Sequence, residues 1–162
     1  TKGKIMIEVT KKEKNNEDQV AKIVERQWQV RMVSQNPMSR ADYLAINKSF
    51  EAKGIIEIRC RRKPSKAIPD FFVAKNKIES LQILSDKLHI PSMLVVGWCD
   101  DDLNIESLEY ILVSEVRNDT VFHSDIDKIS IGKDWSENRK GQSYSEEMAH
   151  FNWDRFTEIP MT

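Results

Sequence analysis

Apolar residues recur along this chain with two different periods, and the switches between them mark out its elements. Lys4-Ile5-Met6-Ile7-Glu8-Val9 reads as a short edge strand or an extended arm. Asn16-Glu17-Asp18-Gln19 can cap a helix that runs to about Trp28, with Val20, Ile23, Val24 and Trp28 as its apolar stripe. Val30 to Ser34 predicts a strand that ends before Pro37, which has no amide to give to a ladder. Tyr43 to Ile46 and Ile55 to Cys60 predict a β-hairpin around a polar turn, Asn47 to Gly54. Phe71-Phe72-Val73 is a short buried strand or hydrophobic anchor. A helix from Lys75 to Leu88 follows, with Ile78, Leu81, Leu84 and Leu88 on one face. Met93 to Trp98 is unbroken apolar sequence, the mark of a central strand covered on both faces, and Leu108 to Val113 is its expected neighbour.

From Arg117 onward the periodicity fades. Ile126, Ile129 and Ile131 mark a further strand, and residues 132–148 read as a long polar loop or arm around Trp135. The aromatic stretch from Met148 to Pro160 returns to cover the core. Its rings, with Arg139 and Lys140, are also suited to a nucleic-acid surface. These elements together predict an α/β fold: one domain, 1–162, with a mixed central sheet flanked by helices near 16–28 and 75–88. Its core spans about 15–115, and residues 116–162 form an extension packed on that core.

Strand alternation sorts the second hairpin strand into two faces. Ile56, Ile58 and Cys60 point one way, while Ile55, Glu57, Arg59 and Arg61 point the other. A carboxylate and two arginines on one face of an Ile-rich strand are either a solvated surface or a site. Asp42 stands at the start of the preceding strand, separated by fourteen residues from Glu57-Ile58-Arg59.

An acid opening one strand and Glu-x-Lys on the next resembles the PD-(D/E)XK nuclease superfamily, with Arg59 in place of the motif lysine. The order of helix, hairpin, basic loop, helix and hydrophobic strand over about residues 15–115 is similar to that family's αβββαβ core, the restriction-endonuclease-like fold. Other matches to the short pattern are weaker. Glu51-Ala52-Lys53 falls in the turn, Pro69-Asp70 has no Glu-x-Lys after it, and Glu115-Val116-Arg117 and Glu137-Asn138-Arg139 lack this context.

The resemblance implies a metal-dependent nuclease. Asp42 and Glu57 would hold Mg²⁺ or Mn²⁺ through hard oxygen ligands, and Glu25 on the first helix would assist or stay a solvated neighbour of Arg26. Arg59 would stabilise charge at the scissile phosphate, or Lys75 or Lys77 would take over that role from the second helix. Both lysines sit in that helix's first turn, where a cation opposes the helix dipole, so neither is a favoured plain surface choice. Arg61, Arg62, Lys63 and Lys66 form a run that is a solvated surface or tracks a phosphate backbone. The partner implied is nucleic acid, DNA ahead of RNA, and a homodimer is compatible. The alternative is a non-catalytic protein on the same fold that binds nucleic acid or another protein, with Arg59 marking lost chemistry.

Charge tempers this picture without reversing it. The 162 residues carry a net charge of −1, so no globally basic footprint exists and nucleic acid would need a local patch. Cys60 and Cys99 lie in apolar runs and read as free thiols, in keeping with a cytoplasmic protein. The Thr1-Lys2-Gly3-Lys4 start predicts no signal peptide, and no apolar run reaches the ~20 residues of a membrane span. Asp100-Asp101-Asp102 lacks EF-hand spacing and reads as a turn. The three histidines have no zinc-like partners, and no Gly-rich phosphate loop exists.

Overall fold

The computed structural model describes residues 2–36, 39, 41–62, 70–113, 135–137, 143–145 and 147–162. Helix α1 (Lys2–Trp28) leads into β1 (Arg31–Ser34), β2 (Tyr43–Ile46), β3 (Ala52–Arg62) and β4 (Asp70–Ala74). Helix α2 (Lys75–Leu88) is followed by β5 (Ser92–Cys99) and β6 (Ile105–Leu112). Short strands β7 (Trp135–Glu137), β8 (Ser143–Ser145), β9 (Met148–Asn152) and β10 (Thr157–Ile159) complete the order.

Six strands form one mixed sheet in the order β1-β2-β3-β5-β6-β10. Among the described residues of this sheet, β3 and β5 alone run parallel, and the other neighbouring pairs are antiparallel. A parallel pair needs a crossover, and the chain makes it through β4 and α2. The unbroken apolar run of β5 is explained by its place between β3 and β6, where Leu94, Val95 and Val96 are wholly buried.

Alternation gives each face its own helix. Val20, Ala21, Ile23 and Val24 of α1 pack on Tyr43, Ala45, Ile56, Ile58, Val95 and Leu108. Ile78 and Leu81 of α2 pack on Ile55, Leu94, Val96, Trp98 and Ile111 of the opposite face. Each fully buried aliphatic side chain contributes about 1.5–3 kcal/mol. Gly97 lets α1 come close: a Cβ there would lie 3.1 Å from Val20 Cγ2 and 3.1 Å from Ile105 Cδ1.

The strand expected at Lys4 to Val9 is corrected: those residues are the start of α1, which begins at Lys2 and not near Asn16. The reason lies in Asn16. It does not cap its own backbone; it is 3% exposed, and its side-chain amide donates to the Leu103 carbonyl at 2.7 Å. With its partner across the fold, the polar Asn16–Gln19 stretch passes inside the helix.

The aromatic C-terminal stretch does more than cover the core. Strand β9 pairs with β4 in a separate two-stranded ribbon, and β10 extends the main sheet beside β6. Phe71 packs edge-on against Trp98 and Phe156 and tilted against Phe151, and Phe151 meets Phe156 edge-on. Trp135 begins a small ribbon, β7 paired with β8, within the stretch read as a loop. The strand expected around Ile126, Ile129 and Ile131 lies outside the described residues.

Candidate active site

The β2–β3 register pairs Tyr43 with Ile56 and Leu44 with Ile55, so one step outward Asp42 comes beside Glu57. Asp42 stands just before β2, and its side chain replaces the ladder there: Oδ2 accepts the Ile58 amide at 2.9 Å. That bond fixes the carboxylate at the margin of β3. Glu57 faces α2 and is 1% exposed. Arg59 Nη2 lies 3.1 Å from its Oε1, and Lys77 Nζ lies 3.0 Å from its Oε2. The two cations thus face the two oxygens of one buried carboxylate.

Burial pushes the Glu57 carboxyl up to about 7, and the neighbouring Asp42 charge pushes the same way. Arg59 and Lys77 only partly offset them. An acid held on the verge of ionisation by burial and a neighbouring acid suits a divalent cation, whose charge would offset both the desolvation cost and the repulsion. The donor set of carboxylate oxygens matches a hard ion such as Mg²⁺. Among the described residues no group of three or more His, Cys, Asp or Glu is assembled as a metal cage. The register of β2 on β3 makes Asp42 and Glu57 the carboxylates placed side by side here. Beside it, the Arg59 Nε is buried with no hydrogen-bond partner, a donor available to an incoming oxygen.

Lys77 reaches the pair because α2 packs on the Glu57 face of the sheet, one turn before Leu81. Lys75, two residues earlier, turns away and pairs with Glu147 at 3.2 Å and Glu79 at 3.6 Å. Of the two helix lysines the structure brings only Lys77 to the acids. Glu25 is not brought to them. It lies on α1, across the sheet from α2, and lines a cleft beside Ile46 and Asn47. That is the far end of β2 from Asp42, four residues or ~13 Å along the strand. Glu25 misses the pair because it lies eight residues, ~12 Å, further along α1 than Glu17.

The α1 acid that does approach is Glu17. It hydrogen-bonds Tyr43, and burial and then the Asp42 charge raise its carboxyl above the ordinary value. Burial, and then the charges of Glu17, Asp18 and Asp42, raise the Tyr43 phenol. Sequence reasoning took Glu17 as part of a cap. The signal was present: Glu17 shares the i+3, i+4, i+7 stripe of Val20, Ala21 and Val24, all buried. Arg61 and Arg62 are exposed at the end of β3; Lys63 and Lys66 lie outside the described residues.

A mixed sheet between two helices, with an acid pair at a hairpin and cations from strand and helix on the same face, defines the PD-(D/E)XK class of restriction-endonuclease-like domains. The sequence matches the family model of phage putative PDDEXK endonucleases over residues 8–158, and the chain belongs to that family. No curated protein matches the sequence. Among solved structures, the chain is similar to Archaeoglobus fulgidus Hjc, a Holliday junction resolvase from an archaeal hyperthermophile, with a TM-score of 0.51 and 9% identity. The match covers 90% of this chain and 92% of the resolvase, and at that identity it bears on the fold alone.

Proposed function

We propose that this protein is a metal-dependent nuclease that hydrolyses phosphodiester bonds of DNA, with Asp42 and Glu57 as ligands of Mg²⁺ or Mn²⁺. The observation that carries the reading is the setting of Glu57: buried, beside Asp42, poised near neutrality and flanked by Arg59 and Lys77. A divalent cation held there supplies charge neutralisation and a bound water of lowered pKa. The chain's own residues do the rest. Asp42 and Glu57 fix the ligand directions from neighbouring strands. Glu17, held by the Tyr43 hydroxyl, adds an acid from α1 beside Asp42.

Arg59 stays charged at any relevant pH and cannot serve as a base. It holds a phosphate oxygen through its unpartnered Nε and stabilises the pentavalent phosphorus. Lys77 takes the position of the motif lysine, delivered from a helix instead of the strand. Arg61 and Arg62 continue along β3 as contacts to flanking phosphates. DNA is put ahead of RNA by analogy with the Archaeoglobus neighbour of the same fold, a Holliday junction resolvase. Cutting both strands of a duplex takes two such centres, so a homodimer belongs to this reading. The free thiols Cys60 and Cys99 suit a reducing cytoplasm.

The test is cleavage of single-stranded, duplex and branched DNA with Mg²⁺ and with Mn²⁺. Wild type should cut and Glu57→Ala should not, while Arg59→Lys should retain or raise activity. No cleavage by wild type or Arg59→Lys, together with no metal binding by calorimetry, would favour a non-catalytic binding role on the same fold.

A further inference from the structure

The cleft that contains Glu25 lies apart from the acid pair, at the opposite end of β2. It measures about 450 Å³, and its lining includes the apolar side chains of Val30 and Ile46 and the cations Arg26, Arg31 and Lys48. Phe50 forms one wall although it is 80% exposed. The ring stands in water beside the apolar Val30 and Ile46, so it is part of a patch and not an isolated surface residue. At Phe50 φ is 61°, a left-handed conformation that a bulky residue adopts only under constraint.

The constraint is visible. Asn47 Oδ1 accepts the amides of Ser49 and Glu51, both at 2.9 Å. The Asn47 backbone accepts Phe50 N–H and donates to the Glu51 carbonyl, both at 3.0 Å. Lys53 pairs with Glu51 at 2.9 Å, behind the tip. The turn is thus held with its ring outward before any ligand arrives, which lowers the ordering cost of binding.

We infer that this cleft is a binding subsite for an unpaired nucleotide, with its base stacked on Phe50 and its phosphates drawn by Arg31, Lys48 and Arg26. The inference rests on the nucleic-acid reading above and extends it to substrate form. The chemistry matches piece by piece. An exposed ring offers a stacking platform that accepts any base. Three cations against the single Glu25 carboxylate favour a polyanion. One Arg26 nitrogen is tied to the Met161 carbonyl at 2.6 Å, which orients the guanidinium. Glu25 can accept a hydrogen bond from an exocyclic amino group. A base in a B-form duplex is stacked and has no face to offer, so the cleft selects single-stranded, flapped or branched DNA. The cleft sits at the end of β2 away from Asp42, four residues or ~13 Å along the strand, so it would hold a part of the substrate other than the bond to be cut.

The test is fluorescence-polarisation binding in EDTA, with a labelled single-stranded oligonucleotide of roughly 15 nucleotides and a duplex of equal length. Wild type should prefer the single strand. Phe50→Ala should weaken single-strand binding about tenfold and leave duplex binding unchanged, and Phe50→Trp should restore it. Arg31→Ala should weaken single-strand binding and flatten its salt dependence. Because Phe50 is solvent-exposed, thermal melting should show each Phe50 variant folded. No wild-type preference for the single strand would overturn the inference, as would an unchanged single-strand affinity in Phe50→Ala. An equal loss on both probes would also overturn it. Binding in EDTA is read without catalysis, so a failure of the nuclease reading shows separately, as absent cleavage with Mg²⁺ or Mn²⁺.

Discussion

Replacing Glu57 by Gln removes an ionisation while keeping shape, and the consequence can be worked from the structure. The folded carboxyl titrates near 7, against an ordinary value of 4.5. Below 4.5 both folded and unfolded chains carry the proton. Between 4.5 and 7 the unfolded chain has released it and the folded chain has not. The folded state thus binds more protons, and stability falls as pH rises through that window. Each pH unit is equivalent to about 1.4 kcal/mol, so the whole displacement is worth about 3 kcal/mol. A glutamine is neutral throughout and carries no such dependence. Glu17, whose carboxyl is also raised, acts in both proteins and cancels in the difference. Urea denaturation in EDTA at several values from about pH 4.5 to about pH 8 would measure this. The stability of Glu57→Gln relative to wild type should rise by about 3 kcal/mol across the range, and level off above about pH 7. Mg²⁺ added at about pH 8 should then stabilise wild type and not the variant, because only a state that binds the ion gains from it. Parallel pH curves for the two proteins would refute the account of Glu57 as a buried acid coupled to Asp42.

The helix lysines can be separated in the cleavage assay. Lys77→Ala should lose about 10²-fold or more in rate and shift its pH profile upward, since Glu57 loses a compensating cation, whereas Lys75→Ala should stay within a few-fold of wild type. Equal losses for both would mean that Lys77 has no special place. Val95→Asp should unfold the domain, because Val95 is fully buried against α1 and an unpaired carboxylate there costs about 4 kcal/mol or more. A variant melting at the wild-type temperature would contradict the place given to β5.

Much of the sheet was legible because its strands are either alternating or unbroken. The faces of β3 follow from Ile56 and Ile58 against Glu57 and Arg59, and the centrality of β5 from six apolar positions in a row. Helix α2 matched its expected bounds, since its Ile and Leu spacing is regular and Pro91 lies just beyond it. The start of α1 was not legible, because Ile5, Ile7 and Val9 alternate like a strand and Asn16 looks like a cap. Its partner, the Leu103 carbonyl, lies 87 residues away. The acid pair could be read from spacing along a hairpin, a local relation. Choosing Glu17 over Glu25 required the placement of α1 along the sheet, and choosing Lys77 over Lys75 the phase of α2 against it, and only packing decides either. The place of β10 beside β6 rests on three residues with no periodicity of their own.

The parallel pairing of β3 with β5 has a consequence for the order in which the molecule assembles. Asp42 and Glu57 meet through a hairpin with a short turn, a contact of low sequence separation that forms quickly. Covering them requires β5 and α2, and the β3–β5 pair closes a loop of twenty-nine residues between Arg62 and Ser92. The two acids are therefore neighbours while still in water, where their mutual repulsion is weak. They meet the low dielectric only when the crossover docks and brings Lys77 with it. Burial of the charge and delivery of its counter-charge are one folding event, because the lysine rides on the same helix that excludes the solvent.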